Sequence, residues 1–154
     1  MEKILVTGSS GFIGMHLCEN LLKENYSVAG VDNMNDYYDI RLKEKRLENL
    51  SVYKNFKFYK ADIANADKIN LIFDSFRPNK VVNLAAQAGV RYRLVNPHAY
   101  IESNILGFMN ILDASRDYDV EGLIYASSSS VYGESTKTEL SVEDRTDSPI
   151  SIYA

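Results

Sequence analysis

Gly8, Gly11 and Gly14 recur at every third residue in Thr7-Gly8-Ser9-Ser10-Gly11-Phe12-Ile13-Gly14. The apolar triplet Ile4-Leu5-Val6 precedes them, and a stretch of helical periodicity follows. A glycine turn between a strand and a helix suits a pyrophosphate. Gly8 permits the tight turn, Gly11 lets backbone approach a phosphate, and Gly14 lets the helix pack closely on a sheet. The helix start, from Gly11 through Phe12 and Ile13 to Gly14, adds free N–H groups and a partial positive charge. The spacing is G-x-x-G-x-x-G rather than G-x-G-x-x-G. A loop that merely needs a pliable backbone would carry the same glycines, so the weight falls on the strand–turn–helix setting and on Asp32.

Asp32 closes the next apolar run. A carboxylate there accepts both hydroxyls of an adenosine ribose and repels a 2′-phosphate, which predicts NAD rather than NADP. An aspartate that only caps a turn is the competing reading. Asn33 is placed to assist at the ribose. Arg41 and Lys43 lie near enough to receive a phosphate, but the charged residues from Asp36 to Glu48 read as a solvated helix face. Asp62-Ile63 ends a third run, with Asp62 toward the adenine amine and Ile63 on the ring; turn chemistry explains the aspartate almost as well. After a fourth run, Leu84, Ala85 and Ala86 let backbone pass beside the cofactor. Asn104, polar on a sheet-facing helical position, either ties that helix to the fourth strand or reaches the cofactor. Tyr37 and Tyr38 either cover the cofactor edge or pack.

A second chemical segment, Ser127-Ser128-Ser129-Ser130-Val131-Tyr132-Gly133, leaves a fifth run. Its hydroxyls can hold a substrate hydroxyl or carbonyl. Tyr153 should return to the same strand ends, at the start of a helix opened by Ser148-Pro149-Ile150-Ser151. A tyrosine acts as a base only if a cation stabilises its phenolate, because its ordinary pKa is about 10.

The elements that must position these groups alternate. Strands are expected at Ile4–Val6, Ser27–Val31, Phe56–Tyr59, Lys80–Leu84 and Leu123–Ala126. Helices are expected over Gly11–Glu24, Asp36–Leu50, from a cap at Asn65, and from Asn96-Pro97 to about Arg116. In the first helix, Ile13, Leu17 and Leu21 form one stripe, with Gly14, Cys18 and Leu22 beside it. Strands separated by helices imply an α/β, doubly wound parallel sheet in the order 3-2-1-4-5. Ligands of such sheets sit at the carboxyl ends of the strands, where every motif above falls.

At 154 residues with 45% hydrophobic and 25% charged residues, the chain suits one globular domain. A net charge of −4 argues against nucleic acid. The single cysteine, Cys18, rules out an internal disulfide and reads as a small core residue. No apolar run approaches a membrane span, so the expected location is cytoplasmic. His16 and His98 lack metal-ligand spacing, and no metal site is expected.

Taken in order, the glycine motif, Asp32, Asp62, Asn83-Leu84-Ala85-Ala86, the serine run before Val131-Tyr132-Gly133, and Tyr153 resemble an extended short-chain dehydrogenase/reductase along essentially the whole chain. That family uses a Ser/Thr–Tyr–Lys set. The resemblance implies that Tyr153 and Ser128 are catalytic, that Ser127 lies by the cofactor, and that Ser129 and Ser130 touch the substrate sugar; Arg91 either approaches the substrate or cofactor phosphates or lies at the surface. The family's lysine follows Tyr153 within Y-x-x-x-K, and only Tyr153-Ala154 is present. Asp32-Asn33-Met34-Asn35-Asp36-Tyr37-Tyr38-Asp39 followed by Leu42-Lys43, together with Ala85-Ala86-Gln87-Ala88-Gly89-Val90-Arg91-Tyr92 and Asn96-Pro97, are similar to UDP-glucuronate 4-epimerases and capsule-synthesis relatives. The related dehydratases place a carboxylate where Ser129 and Ser130 stand. The implied activity is C4 epimerisation of a UDP-sugar (UDP-glucuronate to UDP-galacturonate) through a 4-keto intermediate. A dehydratase, another UDP-hexose epimerase or a non-catalytic NAD-binding module are the alternatives. Residues 1–154 then form an incomplete dinucleotide-binding domain, without the C-terminal substrate domain. It is expected to be catalytically silent, with an exposed fifth strand and a helix-bundled homodimer.

Overall fold

The computed structural model describes residues 1–89, 92, 95–135 and 137–154; Arg91 lies outside the described residues. Five parallel strands, β1 (Lys3–Thr7), β2 (Ser27–Asp32), β3 (Phe56–Lys60), β4 (Lys80–Asn83) and β5 (Gly122–Tyr125), form one sheet in the order β3-β2-β1-β4-β5. This is the predicted order. The central strand pairs on both sides, Val6 lying opposite Gly30 and Val82.

Alternation along β1 supplies both faces of the sheet. Leu5 enters a cluster with Val31, Ile69, Phe73 and Ile111, while Ile4 and Val6 join Cys18, Leu22, Val28 and Leu50. The second cluster is covered by α1 (Phe12–Lys23) and α2 (Ile40–Ser51), the first by α3 (Ala66–Phe76) and α5 (Phe108–Asp117). Asn65 caps α3 as expected, its Oδ1 accepting the Lys68 N–H at 3.0 Å.

Several expectations shift. In α1 the buried seam is Gly14, Cys18 and Leu22, and Ile13 is 66% exposed. Gly14 must face the turn it follows, which turns Ile13 outward, while Leu17 and Leu21 of the adjacent stripe stay partly buried against the core. Helix α2 starts at Ile40 rather than Asp36, because Asp39 caps it through the Arg41 N–H at 3.0 Å. The predicted fourth helix is continuous from α4 (His98–Tyr100) to α5, but Ile101–Gly107 between them is π-helical. Helical periodicity does not reveal such a widened turn. Residues 148–154 carry a bend over 150–152 rather than the expected helix. β5 is a sheet edge with Ile124 and Tyr125 exposed. No helix among the described residues is long and apolar enough to cross a membrane.

Cys18 is fully buried, and burial pushes its thiol from 9.0 up to about 12. Alkylation at pH 8 is therefore expected to be at least about a hundredfold slower in the native chain than in urea, because the thiolate is the reactive form. The folded pKa is the higher one. The contribution to stability is thus fully present below pH 9 and is lost as pH rises toward about 12. Equal alkylation rates in native and unfolded chains would contradict this.

Candidate active site

The β1–α1 turn is built around contacts that leave no room for side chains. Gly8 has a φ of +68°, and a Cβ there would lie 2.9 Å from Ala85 N and Leu84 C. The Gly11 N–H donates to the Gly8 carbonyl at 3.0 Å, and no side chain caps α1. The helix-start N–H groups are thus available to an anion. Thr7, which sequence reasoning passed over, fixes the opposite wall. Its buried hydroxyl donates to Asn83 Oδ1 at 2.6 Å and accepts the Leu84 and Ala85 N–H groups at 3.1 and 3.0 Å. A threonine at a strand end carries no distinctive signal by itself.

Asp32 lies beside this turn. Its Oδ2 accepts the Ser10 N–H at 3.1 Å and its Oδ1 the Met34 N–H at 2.9 Å. Lys43 Nζ completes the shell 3.3 Å from Oδ1 and donates to Asn35 Oδ1 at 2.9 Å. The two charged side chains are 7% and 5% exposed, for Lys43 and Asp32 respectively. The expected solvated face is therefore wrong for Lys43: it turns inward because α2 packs against the Asp32 carboxylate. Arg46 also turns toward the site, its Nη1 donating to the Ser10 carbonyl at 3.3 Å and to the Tyr38 hydroxyl at 2.9 Å. The signal available in sequence was the spacing of Lys43 and Arg46, three residues apart on one helical face.

Asn33 donates from Nδ2 to Asp62 Oδ2 at 2.9 Å, joining the ends of β2 and β3. Asp62 Oδ1 meanwhile accepts the Ala64 N–H at 2.9 Å, so turn formation and cleft lining coexist in one carboxylate. Asp32, Asn33, Asp62, Ile63, Leu84, Ala85 and Ala86 share one cleft with Gly8 and Gly11. Phe12 and Ile13 are exposed and do not line it, and Gly14 faces the turn. Tyr37 and Tyr38 line the cleft, Tyr37 reaching the Ala88 carbonyl at 3.4 Å.

A second cavity begins where the first ends. Ala85, Ala86 and Ser103 border both, and beyond them lie Ser127, Ser128 and Tyr153. Ser128 Oγ accepts the Ser130 N–H and donates to Ser130 Oγ, both at 3.2 Å, capping the short 3-10 turn Ser129–Tyr132. Ser129 and Ser130 do not line the cavity. Tyr153 is brought there without a helix. A Cβ on Gly133, whose φ is +59°, would overlap the Ser148 carbonyl oxygen, so glycine lets the returning chain close on Val131-Tyr132-Gly133. The Tyr153 ring then meets the buried Tyr100 ring edge-on, 6.0 Å between centroids. Asn104 lines this cavity, but its Oδ1 accepts the Gln87 N–H at 2.8 Å and its Nδ2 donates to the Gln87 carbonyl at 3.0 Å. Of its two predicted roles, tying the helix to the segment after β4 is the one its amide performs.

A family model described as GDP-mannose 4,6 dehydratase matches residues 5–154. The chain is 53% identical over 152 residues to Protein CapI of Staphylococcus aureus, covering 99% of this chain and 45% of that protein. It is 47% identical to a UDP-glucuronate 4-epimerase of Thermodesulfobacterium geofontis, covering 100% of this chain and 47% of the relative. Among solved structures, a Bacillus cereus UDP-glucuronic acid 4-epimerase in complex with UDP-glucuronic acid and NAD superposes with a TM-score of 0.86 at 36% identity. It covers 98% of this chain and 47% of that one. The chain spans about half the length of these relatives.

Proposed function

Because the chain belongs to the GDP-mannose 4,6 dehydratase family, we propose that the whole protein is an NAD-dependent UDP-sugar 4-epimerase interconverting UDP-glucuronate and UDP-galacturonate. The observation that carries this reading is the pair of adjoining cavities, one ending at Asp32 and the other at Tyr153, with Ala85, Ala86 and Ser103 between them. A dinucleotide laid along the strand ends would reach from one to the other.

The first cleft fits such a cofactor. Gly8 and Gly11 keep the turn bare, and of the other lining residues Asp32 and Asn33 would meet the ribose and Asp62 and Ile63 the adenine. Lys43 adds a buried donor beside Asp32. Bound NAD would supply the oxidant for C4 of the sugar. Tyr153, as phenolate, would take the proton of the 4-hydroxyl, and Ser128 would hold that oxygen. Rotation of the 4-keto sugar before reduction gives inversion. Dehydration is the alternative chemistry, and it needs an additional acid. None of the described residues lining the second cavity is acidic, which favours epimerisation.

The test is twofold. The chain should take up NAD by calorimetry, and the whole protein should convert UDP-glucuronate to UDP-galacturonate. Release of a 4-keto-6-deoxy product from a UDP-hexose, or no NAD uptake, would overturn the reading. The 154-residue chain by itself is expected to bind NAD without turnover.

A homodimer forms part of the proposal. Ile101, Ile105, Met109 and Leu112 make an exposed apolar stripe along the π-helical segment and α5. Ile105→Glu with Met109→Lys should shift the species seen by light scattering from dimer to monomer; a wild-type monomer at high concentration would refute this interface.

A further inference from the structure

Asn104, Gly107 and Asn110 recur at every third residue along the π-helical segment and the first turn of α5, and each meets a segment that leaves a strand end. Asn104 holds the Gln87 backbone through two hydrogen bonds. Asn110 Nδ2 donates to the Ile63 carbonyl at 2.8 Å. Gly107 receives the Ile63 side chain, since a Cβ there would stand 2.5 Å from Cγ1 and 2.7 Å from Cδ1. Ile63 is buried and lines the cleft beside Asp62, whereas neither Gly107 nor Asn110 lines it. Burial leaves Ile63 little space to move, so its placement depends on the helix behind it.

We propose that Asn110, with Gly107 as the socket, is a positioning residue for the adenine end of the dinucleotide cleft. This rests on the dinucleotide reading of that cleft. Asn110 holds the Ile63 backbone while Gly107 seats its side chain, and the pair sets the height of the Asp62-Ile63 wall against the ring. Asn104 does the corresponding work for the Ala85–Gln87 wall nearer Tyr153. One helix thus sets the two halves of the cleft through separate contacts three residues apart.

Separate contacts predict separable losses. A general loosening of the fold would weaken both halves of the cofactor together. In calorimetric or NMR titrations, Asn110→Asp retains the shape but replaces the donor by a charge facing the Ile63 carbonyl. It should weaken AMP about tenfold, because the Ile63 wall is no longer held against the ring, while nicotinamide mononucleotide changes less than about twofold. Gly107→Ala, which displaces Ile63 by sterics, should give the same selective loss. Asn104→Ala should show the reverse pattern. Thermal melts accompany each titration, and Gly107→Ala serves should Asn110→Asp fail to fold. Equal losses for AMP and nicotinamide mononucleotide, or no loss of AMP affinity, would overturn the clamp while leaving the dinucleotide site intact. Failure of the wild-type chain to take up either NAD or AMP would instead overturn the dinucleotide reading and this proposal with it.

Discussion

Replacing Gly14 by valine should lower dinucleotide affinity by at least about a hundredfold and destabilise the chain by about 3 kcal/mol. A glycine inside a helix ordinarily costs roughly 1 kcal/mol relative to alanine, so Gly→Ala is often stabilising. At Gly14 the sign reverses. A Cβ would overlap the Gly8 carbonyl oxygen and lie 2.8 Å from its carbon and 3.0 Å from Ser9 Cα. These are backbone atoms of the turn, which cannot rotate away as a side-chain tip would. Overpacking of this kind costs about 1–3 kcal/mol, and valine belongs at the upper end. Relief comes only by moving the start of α1 away from the turn, and that start supplies the N–H groups for the pyrophosphate. Loss of two charge-assisted hydrogen bonds, at about 1.5 kcal/mol each, gives the hundredfold figure. Gly122→Ala is the control, because a Cβ there meets nothing within 4 Å. Calorimetric affinity for NAD and urea midpoints would measure both effects. A Gly14→Val chain binding NAD within threefold of wild type would show that the close approach is dispensable.

The second large effect is expected at Asp32 and Lys43. Among the described residues, Asp32→Ala leaves the buried Lys43 ammonium with only Asn35 as its hydrogen-bond partner, and unpairing a buried charge costs about 3–5 kcal/mol. Lys43→Met is expected to cost less, about 2 kcal/mol, because Asp32 keeps the Ser10 and Met34 N–H groups. The double variant should recover much of the loss seen in Asp32→Ala, since two apolar residues of suitable size replace a buried pair at small cost. Urea unfolding of the four proteins closes the cycle. Additive losses would mean that the two charges do not interact. NAD titration separates stability from function. The double variant should be stable yet bind NAD poorly, as the Asp32 carboxylate and its Lys43 partner are both gone from the ribose end.

Much of this architecture was legible in the linear chain because it depends on short-range physics. The turn demands glycine at Gly8, alternation of Ile4, Leu5 and Val6 feeds two faces, and Asn65 caps the helix that follows it. Parallel pairing then leaves little choice of strand order, since right-handed crossovers bring each segment after a strand to the same edge. Topology alone therefore brings Asp32, Asp62, Ala85 and Ala86 to one edge of the sheet.

What the sequence could not determine depends on which side of a helix wins the competition for the interior. Ile13 looks like a core residue, yet it is exposed, because backbone contact at Gly14 fixes the rotation of α1. Lys43 looks like solvated charge, yet it is buried, because Asp32 offers a carboxylate at the point where α2 docks. The π-helical stretch follows the same logic: it lies where Asn104 and Gly107 meet two segments leaving strand ends. Residue types and periods determined the elements and their order. Tertiary packing decided the rotation of each helix, since that is set by contacts between residues distant in sequence, whose energies no local pattern encodes.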